Sequence, residues 1–113
     1  APERQVVCVA GDGALMFAIQ ELITVVEQGL DLTVVCVDNG GYAEFRQNER
    51  DRGMEPVGVN LAQPNWPALA DAFGGHGQRA ASLTELGDAL RTAAAGGGLQ
   101  LIHVPLAEIA ASL

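Results

Sequence analysis

Lysine does not occur in this chain. Six arginines are the only fixed cations set against fourteen acidic residues, so the formal net charge is −8. Nucleic-acid binding needs a basic stripe, and the composition cannot build one, so no nucleic-acid partner is expected. Cysteine is nearly absent as well. Cys8 and Cys36 stand 28 residues apart, a spacing that fits no metal knuckle or redox pair. Each lies inside an apolar strand-like run, and two reduced core thiols are expected. Long hydrophobic runs are also lacking. No uninterrupted apolar stretch exceeds about six residues, where a membrane span needs about twenty. The polar start, Ala1-Pro2-Glu3-Arg4, shows no secretory leader. A cytoplasmic protein without a membrane partner is expected.

What is present is apolar and compact. The 113 residues are 49% hydrophobic and 18% charged, and this length fits one domain. A body of that size buries roughly 60–70% of its unfolded surface. The chain begins at Ala1, its first strand follows almost at once, and it carries more apolar surface than one small layer can hide. It is therefore expected to be part of a larger chain, burying surface against other segments or subunits.

Val6–Ala10 (VVCVA) is a Val-rich run ended by glycine, the pattern of a strand buried on both faces. Ala14–Gln28 lacks Gly and Pro and predicts one helix, stopped by Gly29. Its polar residues Gln20, Glu21, Thr24, Glu27 and Gln28 share one narrow side. Leu32–Val37 (LTVVCV) predicts a second buried strand, and Asp38-Asn39-Gly40-Gly41 is a dense turn signal. Tyr42–Asp51 is compatible with a polar helix and Arg52–Gln63 with an irregular crossing. Asn65 caps a short helix with Pro67 in its first turn, ended by Gly74-Gly75. Gln78–Ala81 predicts a short strand, after a glycine-rich break that includes His76-Gly77. Ser82-Leu83-Thr84-Glu85 is a capping box opening a helix to about Ala95. Leu99–Val104 (LQLIHV) is the last predicted strand. Strands alternating with helices imply an α/β fold: a parallel sheet covered by helices on both faces.

In such sheets ligands bind beyond the carboxyl ends of the strands. Gly11-Asp12-Gly13 and Asp38-Asn39-Gly40-Gly41 both fall there. If the two strands are neighbours, about 5 Å apart, Asp12 and Asn39 end side by side. One carboxylate, one amide oxygen and a glycine carbonyl form a hard-oxygen set suited to Mg²⁺ or Ca²⁺, with water and phosphate oxygens completing the shell. A helix opening at Ala14 offers free N–H groups to a phosphate, and Gly13 allows close approach. The bland alternative is a simple turn with Asp12 as a helix N-terminal anion.

At these residues the sequence resembles the thiamine-diphosphate-dependent enzymes of the acetolactate synthase, benzoylformate decarboxylase and pyruvate decarboxylase group. Their signature is Gly-Asp-Gly, some two dozen residues, then Asn-Asn or a close variant. Here it reads Gly11-Asp12-Gly13 followed by Asp38-Asn39-Gly40-Gly41-Tyr42, with Asp38 replacing the first Asn, a position that is typically non-ligating. Gln20-Glu21-Leu22, Asn65-Trp66, Ala72-Phe73-Gly74, the Glu85-Leu86 pair and the closing LIHV strand extend the likeness over essentially the whole chain, 1–113. It is that of a C-terminal, Rossmann-like diphosphate-binding domain lacking its N-terminal portion.

The resemblance implies that Asp12, the Asn39 side chain and the Gly41 carbonyl bind Mg²⁺. It also implies that Gly11, Gly13 and Ala14 line the diphosphate, with the N–H groups of Gly13 and Ala14 as donors, and that Tyr42 lies near the cofactor. It implies thiamine diphosphate as cofactor, a 2-oxo acid as substrate, and a homodimer or homotetramer formed through missing domains. An activating glutamate would come from a separate domain, so these residues alone are expected to be inactive, and no catalytic residue is assigned among them. Sequences made for acetolactate show Gly-Met-Val after the Asn turn. Here Ala43-Glu44-Phe45-Arg46 stands instead, which favours a decarboxylase or lyase of related build. Glu44 and Arg46 are expected on a solvated first turn, with contact to substrate as the alternative, and His76 and His103 are expected to be structural. Two other classes stay open: a non-catalytic Mg²⁺/nucleotide-binding regulatory domain, and an assembly module with a vestigial metal turn.

Overall fold

The computed structural model describes residues 5–39 and 64–113. The readings made above for residues 40–63, including the polar helix over 42–51 and the crossing over 52–63, lie outside them. The described elements are strand β1 (Val7–Gly11), helices α1 (Asp12–Ala18) and α2 (Glu21–Glu27), strand β2 (Leu32–Asp38), helix α3 (Trp66–Ala72), strand β3 (His76–Arg79), helix α4 (Leu83–Gly96), strand β4 (Leu99–Pro105) and helix α5 (Leu106–Ala111). The four strands form one sheet in the order β1-β2-β4-β3, and every pairing is parallel.

Alternation along the central strands divides the core in two. Val34 and Cys36 of β2, with Leu99 and Leu101 of β4, pack under Leu15, Leu22, Trp66 and Ala70 from α1, α2 and α3. The intervening residues, Val35, Ile102 and Val104, face Ala89 and Ala93 of α4 and Ile109 of α5. Successive side chains of a strand point to opposite faces, so unbroken apolar runs such as LTVVCV supply both clusters. Helices cover both faces, as the sequence pattern requires.

Local chemistry sets the boundaries. Gly29, at φ 64, ends α2: its N–H donates to the Val26 carbonyl and that of Leu30 to the Val25 carbonyl. This pair of bonds satisfies helix-end acceptors and needs a left-handed residue. Asn65 caps α3, its side chain accepting from the Ala68 N–H at 3.1 Å. Ser82 caps α4: its Oγ accepts from the Glu85 N–H at 3.2 Å and donates to Glu85 Oε2 at 3.2 Å.

Four expectations need correction. The helix predicted over Ala14–Gln28 starts earlier, at Asp12, and is two helices with a tightened turn at Ile19-Gln20. There the N–H groups of Leu22 and Ile23 bond three residues back, not four. The strand predicted over Gln78–Ala81 occupies His76–Arg79, because Gly77 fits tightly under α3 and carries the chain into the ladder sooner. β1 is not buried on both faces. It lies at the sheet edge, with Val7 41% and Val9 68% exposed, since no described strand pairs with its outer side. Cys8 is for the same reason exposed and not in the core. Phe17 of α1 is also 74% exposed. Helix α5 was not foreseen; it follows directly on Pro105.

Candidate metal and diphosphate site at the strand ends

β1 and β2 are adjacent, with Gly11 in register with Val37, so the residues just beyond them share one edge of the sheet. Asp12, the first residue of α1, is 1% exposed. Its Oδ1 accepts a long hydrogen bond, 3.5 Å, from the Asn39 backbone N–H. Its Oδ2 is buried and has no hydrogen-bond partner among the described residues. A buried, half-satisfied carboxylate is costly, and a hard cation at that oxygen would offset the cost. On this test the residues present fit a divalent metal. Among the described residues no three His, Cys, Asp or Glu side chains gather into a metal cluster, so a cation here would rely on one carboxylate with amide and carbonyl oxygens.

Gly13 is buried beside Asp12 while Ala14 and Asn39 are exposed. The sequence-predicted residues Gly11, Asp12, Gly13, Ala14 and Asn39 therefore come together at one strand edge. Gly41 and Tyr42, with Gly40, Glu44 and Arg46, lie outside the described residues.

Beneath this edge sits Cys36, fully buried. Burial pushes its thiol up from the ordinary 9.0 to about 12, and the negative charges of Asp12 and then Asp38 push the same way. The thiol therefore stays protonated and unreactive. In the folded protein Cys36 should stay unmodified by an alkylating reagent near pH 8.5 and react only once the chain is unfolded, as peptide mass mapping would read. The native state holds this proton more tightly than the unfolded chain does. Its contribution to stability is therefore complete below about pH 9 and fades as pH climbs toward 12.

The reading of His103 from sequence missed a contact. Parallel pairing sets His103 of β4 opposite Cys36, and its Nε2 meets Asp38 Oδ2 at 2.8 Å. The pair is largely buried, at 13% and 15% side-chain exposure. The available signal was that Asp38 ends one apolar strand run and His103 is the polar residue inside another that becomes its neighbour. An open groove borders the same turn, running from Asp38 and Asn39 along Pro105, Leu106 and Glu108 at the start of α5. Glu108 is tied to Arg79 at 2.6 Å.

Open parallel α/β sheets bind their ligands beyond the carboxyl ends of the strands, the edge at which Asp12 and Asn39 meet. Residues 1–104 match the family model "Thiamine pyrophosphate enzyme, C-terminal TPP binding domain", and the chain belongs to this family. It is 35% identical to the acetolactate synthase isozyme 2 large subunit of Escherichia coli K12 over 112 residues, 96% of this chain and 20% of that protein. It is 37% identical over 98 residues, 83% of the chain, to an alpha-keto-acid decarboxylase of Mycobacterium bovis, covering 17% of it. The solved benzoylformate decarboxylase of Polynucleobacter necessarius superposes with a TM-score of 0.81 at 27% identity, over 94% of this chain and 20% of that one. The chain thus spans about a fifth of the length of the curated relatives it matches.

Proposed function

We propose that this chain is the cofactor-binding part of a larger thiamine-diphosphate- and Mg²⁺-dependent enzyme that decarboxylates a 2-oxo acid or joins it to a second carbonyl compound. The relatives' names support the substrate class: acetolactate synthase and alpha-keto-acid decarboxylase. The observation that carries the reading is Asp12, buried at the strand edge with Oδ2 unpartnered among the described residues.

In this reading Asp12 Oδ2, the Asn39 amide oxygen and the Gly41 carbonyl hold Mg²⁺. The N–H groups of Gly13 and Ala14, at the start of α1, donate to diphosphate oxygens. Gly11 and Gly13 keep side chains out of the approach, and Tyr42 stands beside the cofactor. When bound, thiamine diphosphate supplies the carbanion chemistry that the side chains of this chain cannot. The part played by these residues is to anchor and orient, and to keep the Asp12 charge out of water where it acts most strongly. Substrate-facing groups and the activating glutamate belong to other segments, through which the enzyme assembles as a cytoplasmic homodimer or homotetramer.

Isothermal calorimetry on the full-length enzyme tests this. Thiamine diphosphate should bind only with Mg²⁺ present, and a nucleoside triphosphate should give no heat. Nucleotide binding without thiamine diphosphate binding would point to a regulatory domain, and no binding of either to an assembly module.

A further inference from the structure

We propose that His103 is a positioning residue for the metal turn: by holding the Asp38 carboxylate it fixes the backbone from which Asn39 is presented. This rests on the reading of the site given above. β2 ends at Asp38, so Asn39 is the first residue past the ladder, and strand pairing no longer determines its place. Two contacts among the described residues bear on it. The Asn39 N–H reaches Asp12 Oδ1, at a long 3.5 Å. On the other side, the Asp38 carboxylate is tied to His103 at 2.8 Å. An ionised carboxylate only accepts, so the imidazole Nε2–H donates.

Geometry favours His103 as the anchor. It lies within the β2–β4 ladder, in register with Cys36, whose side chain is wholly buried. The hydrogen bond is itself mostly shielded from water, at 13% and 15% side-chain exposure, which strengthens it. Residues 38 and 39 are thus strung between β4 on one flank and the start of α1 on the other. With the His103 contact gone, the Asp38 side chain would lose its tie to β4, and the turn that carries Asn39 would be held less firmly. Groups that orient metal ligands typically change metal affinity by about 10- to 100-fold when removed.

The test is a Mn²⁺ titration of the metal-free, full-length enzyme at fixed thiamine diphosphate, read by electron paramagnetic resonance, with melting of the metal-free form as a check on folding. His103→Ala should weaken Mn²⁺ binding by about tenfold or more. His103→Gln, whose amide N–H can still reach Asp38, should recover most of that loss. Asp38→Ala should match His103→Ala, and the double variant should be no worse than either single one, as expected for residues acting through one contact. Wild-type affinity in His103→Ala, additive losses, or failure of His103→Gln to rescue would each overturn the inference. Asp12→Ala separates the two levels. If it abolishes Mn²⁺ binding while His103→Ala does not weaken it, only the role of His103 fails. If Asp12→Ala binds Mn²⁺ normally, the site reading itself fails.

Discussion

Asp12→Ala will cost the full-length enzyme its Mg²⁺-dependent hold on thiamine diphosphate while leaving the fold intact. Asp12 is the only charged side chain in the proposed ligand set, and it is 1% exposed. Removing one partner of a buried charge pair costs about 3–5 kcal/mol, between two and four orders of magnitude in affinity. The structure without metal carries the opposite cost, because Oδ2 is buried with no hydrogen-bond partner among the described residues. An unsatisfied buried polar group is worth about 1–3 kcal/mol of destabilisation. The metal-free variant should therefore melt at or above the wild-type temperature. Calorimetric affinity and a thermal scan read the two effects separately. Unchanged cofactor affinity would sink the metal assignment, and a collapsed fold would show that the carboxylate is structural.

Gly77→Ala is the substitution expected to damage the fold most. Gly77 lies in β3 under the first turn of α3, and a Cβ there would stand 2.2 Å from the Pro67 carbonyl oxygen and 2.3 Å from its Cα. These are backbone atoms that no rotamer change can move aside. The Gly77 N–H also donates to Asp71 Oδ1 at 2.9 Å, so a strand pushed away from α3 loses a charge-assisted bond. Overpacking costs about 1–3 kcal/mol and a hydrogen bond to a charged group about 1.5–3. The sum is a large part of the roughly 5–15 kcal/mol that holds a domain together. Amide exchange should show lost protection in β3 and α3, with β1 and α1 little changed. Wild-type protection would mean that the helix yields more easily than its contacts imply.

The strand-end edge that brings Asp12 and Asn39 together was legible in the sequence because its parts are local signals. Gly-Asp-Gly after one apolar run and Asp-Asn-Gly-Gly after the next mark two strand ends, and the helical stretch between them makes those strands neighbours. His103 was not legible in the same way. It stands 65 residues from Asp38, and only parallel pairing of β2 with β4 brings the two together. The fate of β1 differed again. A Val-rich run identifies a strand, but burial on both faces depends on what lies on either side of it, and Val9 is left 68% exposed.

By itself, then, the sequence determined the α/β class, the positions of most elements and the juxtaposition of Asp12 with Asn39. Periodicity, caps and glycine stops act within a few residues, and a β-α-β unit leaves little choice of neighbour. Only the tertiary structure decided the sheet order β1-β2-β4-β3, the exposure of Cys8, the entry of His76-Gly77 into the sheet, and the Asp38–His103 bond. Each of these depends on which distant segments pack together. Backbone fit, such as that of Gly77 against Pro67, and burial of apolar area select that packing across the whole chain, and no short stretch of residues encodes it.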